Sequence, residues 1–285
     1  MTVLESIQKS TEFLAKRDLG SPRLQAELLL AHVLKMPRMK LYLNFERALT
    51  EHETDALRQF VKRRGLHEPL QHIIGSTSFC GFEIAVDRRA LVPRPETELL
   101  AELGWTFLST LSAGQTALDV GTGTGCLAIA LSAKCADARI TASDVSADAL
   151  GLANENARTN NVASRIEFLH GDGFKTLPAG ARFDLIISNP PYIPTAEIET
   201  LQPEVRDFDP RTALDGGADG LDFYRMFATQ AGPRLKSHGK IMLELGDGQA
   251  EAVRKLFENE NWIVEAVKDD YSQRARILIA TWKVS

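Results

Sequence analysis

The residues best suited to chemistry are Asn189, Pro190, Pro191 and Tyr192, which follow directly on the apolar run Phe183–Ser188. Two prolines fix φ and remove two backbone donors, so this segment offers rigid carbonyl acceptors. The Asn189 side chain adds an amide oxygen. A planar –NH₂ group could give one hydrogen to Asn189 and the other to the Pro190 carbonyl. Such a nitrogen is a poor nucleophile, because its lone pair is delocalised. Two fixed acceptors draw it toward tetrahedral geometry and aim the lone pair at an electrophilic carbon. Positioning and preorganised electrostatics then supply much of the rate. No strong base is needed before attack, since the nitrogen becomes far more acidic once alkylated. Tyr192 can stack flat on the target group. The four residues suit a glutamine amide, the N6 amine of adenine and the N4 amine of cytosine alike.

A second cluster points to the electrophile. Ala117–Gly125 ends in Gly121, Thr122, Gly123, Thr124 and Gly125, where an apolar strand pattern gives way to a helical one. Glycines there let the backbone turn sharply and approach a ligand beyond the strand's carboxyl end. A dinucleotide fingerprint would place its last glycine at Cys126, so the spacing argues against a pyrophosphate. The next strand ends in Asp144, 23 residues after Gly121, where a carboxylate can accept from both ribose hydroxyls. Asp119 can orient the turn or meet an ammonium group. Asp172 is placed to meet an exocyclic adenine amine, with Gly173 or Phe174 beside the ring. Adenosine joined to an amino acid is S-adenosylmethionine, which would leave as S-adenosylhomocysteine. The six histidines are scattered and none has metal-ligand spacing with Cys or Asp, so no metal is expected.

Around these clusters the pattern predicts an α/β fold: a Rossmann-like, doubly wound methyltransferase sheet with a small N-terminal helical domain joined by a β-hairpin. Residues 1–74 read as helical. Ser21-Pro22 looks like a cap with a first-turn proline, Thr50 to Glu53 matches a capping box, and Gly65 ends that helix. Residues 75–95 hold a hairpin, Ser76–Phe79 and Phe82–Val86, and a proline-bracketed lead-in, Val92 to Glu98, runs into a helix that ends near Leu108. Residues 96–285 form the catalytic domain. Strands Thr116–Val120, Arg139–Asp144, Arg165–His170, Asp184–Ser188 and Lys240–Leu245 alternate with helices, as a largely parallel sheet requires. Trp262–Lys268 and Arg276–Thr281 follow as an antiparallel edge pair.

Net charge is −5, unevenly spread: residues 1–75 carry 12 Lys and Arg against 9 Asp and Glu, and the remainder carries −8. An acidic catalytic region argues against a direct nucleic-acid substrate, whereas the basic lean of the first 75 residues could steer a partner. Three cysteines without a C-x-x-C pair, no signal-peptide pattern and no long apolar run predict a cytoplasmic, membrane-free protein. Nothing in the pattern demands a dimer, so a monomer is expected.

Together these segments resemble the HemK/PrmC-type glutamine-N5 methyltransferases that modify peptide-chain release factors. The resemblance runs over nearly the whole chain: Glu68 to Gln71 with Gly75, Val92 to Glu98, Leu118 to Gly125, Asp144, Ser188 to Tyr192, Asp209 to Leu214 with Gly216 and Gly217, and Glu244 to Gly246. Pro93 to Glu98 is the most discriminating piece. The resemblance implies methylation of the glutamine in a release factor's Gly-Gly-Gln loop. It implies cofactor contacts from Gly121, Gly123, Gly125, Asp144, Gly173 and Asn189, and glutamine contacts from Asn189 to Tyr192. Arg94 and Glu98 would line the mouth, and the helical domain would grip the release factor away from the reacting loop. Three places depart from the family pattern: His72 stands where tyrosine is common, Asp209 where glutamate is common, and Asp270–Arg276 lacks the expected glycine and aspartate.

Overall fold

A computed structural model describes residues 1–283, which fold as two compact units. The first comprises Met1–Ser76 together with Gln202–Phe208. Its helices are α1 (Val3–Ala15), α2 (Pro22–Val33), α3 (Arg38–Leu41), α4 (Glu51–Arg64) and α5 (Leu70–Ile74). Their apolar stripes meet in one core that includes Ile7, Leu14, Leu29, Leu30, Leu41 and Leu57. Thr50 and Glu53 form the predicted reciprocal cap on α4, and Thr2 with Glu5 does the same for α1. Ser21 does not act as predicted. Its φ is +49° and its side chain makes no capping bond, so Pro22 alone opens α2. Gly65 follows α4 with a right-handed φ of −64°. Its small size serves packing, because a Cβ there would stand 2.5 Å from the Phe13 ring.

The second unit comprises Thr77–Leu201 and Asp209–Ser285. Hairpin strands β1 (Ser76–Phe79) and β2 (Phe82–Ala85) precede α6 (Pro95–Ser109). Then come β3 (Thr116–Val120), α7 (Cys126–Lys134), β4 (Arg139–Asp144), α8 (Ala147–Thr159), β5 (Ile166–His170) and β6 (Phe183–Ser188). After α9 (Pro203–Arg206) follow α10 (Asp222–Gln230), β7 (Leu235–Glu244), α11 (Ala250–Asn259), β8 (Trp262–Asp269) and β9 (Ala275–Trp282). The seven strands are ordered β5-β4-β3-β6-β7-β9-β8. The first five run parallel, and β9 pairs antiparallel with both β7 and β8. This is the doubly wound sheet that the alternating pattern predicts.

Central strands read as continuous apolar runs because both faces are covered. Leu185 and Ile187 enter one core with α6 and α7, while Ile186 between them enters the other with Tyr224, Phe227 and Phe257. Strand β7 starts earlier than predicted, at Leu235, because Lys236, Ser237 and His238 mask a stretch that still pairs with β6 through an irregularity after Phe183. Strand order reverses direction between β3 and β6, the place where such sheets open a crevice at their carboxyl ends.

Segment 202–208 lies within the span read from sequence as the catalytic domain, yet it groups with the helical unit. Arg64, 4% exposed, donates to Glu204 Oε2 at 2.5 Å and to the Glu68 carbonyl at 2.9 Å. Arg64 also donates to the Gln25 side chain. Those partners are 140 residues apart at the extreme, beyond what local patterning registers.

Candidate active site

A cavity of about 610 Å³ opens at the carboxyl ends of β3, β4 and β6. That is the size of a drug- or nucleoside-scale site. On one wall lies the glycine turn. Gly121, Gly123 and Gly125 have φ of 71°, 55° and 81°, and the first two line the cavity with Thr122 and Thr124. A Cβ at Gly121 would meet nothing within 4 Å, so the backbone there is bare toward whatever fills the space. Gly125 does not line the cavity; it caps α7, and a Cβ there would come within 3.0 Å of Ala153. Its role is to let α7 and α8 approach.

The turn is held from beneath by Asp119, which is wholly buried. Its Oδ2 accepts from the Thr122 hydroxyl at 2.6 Å and from the Ala128 amide at 3.2 Å. Burial pushes the Asp119 carboxyl up to about 7, against the pull of those two bonds. Asp144 lines the cavity, taking the Gly123 amide on Oδ2 and the Ser146 amide on Oδ1, both at 2.9 Å. Each oxygen keeps a lone pair for a ligand. Asp172 and Gly173 also line the cavity, beside Phe223 and Met226; Asp172 pairs with Lys175 at the surface.

On the facing wall stand Asn189, Pro190 and Pro191. The Ser188 hydroxyl donates to the Val120 carbonyl at 2.6 Å and ties the end of β6 to the end of β3, so the two walls are registered. Asn189 Nδ2 donates to Thr97 Oγ1 at 3.1 Å, and that hydroxyl donates to Glu244 Oε2 at 2.7 Å. With its nitrogen so engaged, Asn189 has its Oδ1 left for a donor in the cavity. Thr97 and Glu244 are each 2% exposed, and burial pushes the Glu244 carboxyl up to about 7. Both lie within segments that carry the family resemblance, but no local feature marked them as partners of Asn189.

Two predicted contacts fall elsewhere. Glu98 does not line the cavity; its Oε1 accepts the Cys80 amide at 2.9 Å and braces the hairpin turn. Helical periodicity explains this, because Thr97 faces the cavity and the next residue points about 100° away. Tyr192 does not line the cavity either. It packs against the second sheet core beside Gly246, and burial pushes its hydroxyl up to about 12. Its carbonyl accepts from Gln249 Nε2 at 2.8 Å, which anchors the end of the motif. Arg94 does line the cavity and pairs with the fully covered Asp209 side chain at 2.8 Å. In Asp270–Arg276, Asp270 takes the Ser272 and Arg274 amides, while Gln273 adopts the left-handed φ of 59° that a glycine would favour.

Residues 5–75 match the family model of the PrmC N-terminal domain, and residues 101–202 match that of the methyltransferase small domain. The release factor glutamine methyltransferase of Geobacter sulfurreducens is 41% identical over 256 residues, covering 90% of this chain and 88% of the relative. That of Chlorobaculum tepidum is 42% identical over 276 residues, covering 94% and 93%. The chain belongs to the release factor glutamine methyltransferase family. Among solved structures, a methyltransferase from Pyrococcus furiosus matches with a TM-score of 0.52 at 20% identity, covering 73% of this chain and 92% of that one. At that identity the likeness concerns the fold. In this release factor glutamine methyltransferase family member, the family-bearing segments of the second unit supply the cavity's lining or the residues that brace it.

Proposed function

We propose that the enzyme methylates the N5 amide nitrogen of the glutamine in the Gly-Gly-Gln loop of peptide-chain release factors. One observation carries the reading: Asn189, its amide nitrogen engaged by Thr97, leaves an acceptor oxygen in a cavity shared with the glycine turn and Asp144. The cavity fits S-adenosylmethionine, with a bare backbone at Gly121, a carboxylate at the end of β4 and apolar walls from Phe223 and Met226. When bound, S-adenosylmethionine supplies an electrophilic methyl group on sulfonium and leaves as S-adenosylhomocysteine.

Asn189 Oδ1 and the Pro190 carbonyl accept the two hydrogens of the glutamine amide and hold its nitrogen in line with the methyl carbon. With S-adenosylmethionine bound, transfer would form the carbon–nitrogen bond as the carbon–sulfur pair returned to sulfur, and the nitrogen would then lose one proton to solvent. Arg94, held by Asp209, stands at the mouth beside the incoming loop. Tyr192, half-buried and tied through its carbonyl, supports the motif from behind in place of the stacking expected from sequence.

A single glutamine offers little binding surface, so selectivity must come from remote contacts. The helical unit, with its mild positive charge, is the candidate grip on the release factor, and the reaction would occur in the cytoplasm without a membrane. Methyl transfer to purified release factor, set against duplex DNA and ribosomal protein, tests the reading. Transfer to release factor alone is expected. Labelling of DNA alone would overturn it.

A further inference from the structure

The two ends of an asparagine amide have nearly the same shape but opposite chemistry: Oδ1 only accepts, and Nδ2 only donates. A substrate amide nitrogen bonds to the first and is repelled by the second. A half-turn about the last side-chain bond would therefore convert the acceptor at position 189 into a block. Something must fix which end faces the cavity.

The hydroxyl of Thr97 has a single proton, and it is given to Glu244 Oε2 at 2.7 Å. Its lone pairs consequently face Asn189, where only the Nδ2 end can satisfy them, at 3.1 Å. Thr97 and Glu244 are each 2% exposed, so solvent does not replace either partner. We propose that Glu244 and Thr97 form a polarity relay that locks Asn189 with its oxygen toward the substrate nitrogen. Both are positioning residues, acting through Asn189, and the inference rests on reading Asn189 as the acceptor of a glutamine amide.

The choice of a carboxylate at position 244 supports the relay. Burying one is costly, and a glutamine of the same shape would be easier to bury. A neutral amide, however, can donate as well as accept, and would not dictate where the Thr97 proton goes. The groups facing Glu244 are Thr97 and Glu96 on α6, Arg94 ahead of it, Tyr192 after β6 and Arg276 on β9. From α10, Tyr224 donates its hydroxyl to the Glu244 carbonyl at 2.9 Å. Arg276 and Arg94 favour the charged form and Glu96 opposes it, but burial dominates and pushes the carboxyl up to about 7. Arg276 spends its own hydrogen bonds on Asp270 and the Leu245 carbonyl. Once protonated, Glu244 can donate to Thr97, whose hydroxyl is released toward Asn189 Oδ1, and the flipped amide presents –NH₂ to the cavity. The relay thus predicts a rate that rises with pH through about 7.

Full-length Thr97→Val, Thr97→Ser and Glu244→Gln, compared with wild type, test this. The readouts are kcat on release factor across pH, S-adenosylmethionine affinity by calorimetry, and the Asn189 side-chain amide signal in a nitrogen–proton correlation spectrum, assigned by its loss in Asn189→Asp. Thr97→Val should lower kcat roughly 10- to 100-fold with cofactor affinity within about threefold of wild type, since it removes the acceptor that holds the Nδ2 end of Asn189. Thr97→Ser should recover most of the rate. Glu244→Gln should lower kcat and remove its rise through neutral pH, and the Asn189 amide signal should move in both Thr97→Val and Glu244→Gln. Wild-type kcat in Thr97→Val, failure of Thr97→Ser to rescue, or an unmoved amide signal would overturn the relay. Should Thr97→Val not fold, Glu244→Gln decides: a retained pH rise sinks it. Were wild type inactive on release factor, the functional reading would fall, while the amide signal, which needs no substrate, would still decide the relay.

Discussion

The two walls of the cavity are built on different plans. The glycine-turn wall is local: Asp119, Thr122, Gly123 and Asp144 hold one another across a few bonds close to one turn, much of it through backbone amides. The Asn189 wall is remote: Asn189 bonds to Thr97, 92 residues away in sequence, and Thr97 bonds to Glu244, 147 residues from it. A nucleoside offers many groups to a backbone cradle, so shape suffices there. A primary amide offers two hydrogens, so the polarity of a single side chain decides, and that polarity must be enforced from a distance.

Removing the acceptor should separate the walls most sharply. Asn189→Ala is expected to lower kcat by roughly 10²- to 10³-fold, as for loss of one preorganised group, with cofactor affinity largely kept. Steady-state kinetics and cofactor titration check this, and parallel loss of both would merge the two walls into one. Gly125→Ala attacks the glycine-turn wall through its fold. The new Cβ, 3.0 Å from Ala153 at a φ of +81°, should cost roughly 2–4 kcal/mol in urea unfolding. An unchanged midpoint would mean that α7 and α8 have slack. Asp144→Ala should weaken S-adenosylmethionine binding roughly 10- to 100-fold while leaving kcat at saturating cofactor within a few-fold.

Stability should also depend on pH. Asp119 and Glu244 have carboxyls raised from 3.8 and 4.5 to about 7 in the folded state. The folded protein therefore holds protons that the unfolded chain has already lost across that window. Their contribution should make stability fall as pH rises from about 4 to about 7, then level off. Denaturant melts at several pH values test the slope, and Glu244→Gln should make it shallower.

The same contrast explains what the amino-acid sequence reveals. Gly121 to Gly125, Asp144 and Asn189 to Pro191 sit in short windows at strand ends, where type and spacing state the chemistry, and all but Gly125 line the cavity. The sheet was legible because β3 and β6 are compact apolar runs and helical patterns follow β3 and β4, with β8 and β9 as the antiparallel edge pair. Roles that depend on tertiary direction were not. Glu98 and Tyr192 belong to the right motifs but turn to the hairpin and the core. Thr97 meets both Asn189 and Glu244 only because α6, β6 and β7 bring them together. Segment 202–208 groups with the helical unit, where Arg64 meets Glu204, another contact without a local signature.

The central claim is that the nitrogen presented to Asn189 belongs to a release-factor glutamine. Mass spectrometry of the release-factor peptide containing the Gly-Gly-Gln sequence, after incubation with enzyme and S-adenosylmethionine, tests it most directly. One added methyl group is expected, localised by fragmentation to the glutamine side chain and absent with Asn189→Ala. An unmodified glutamine, or a methyl group on any other residue, would contradict it.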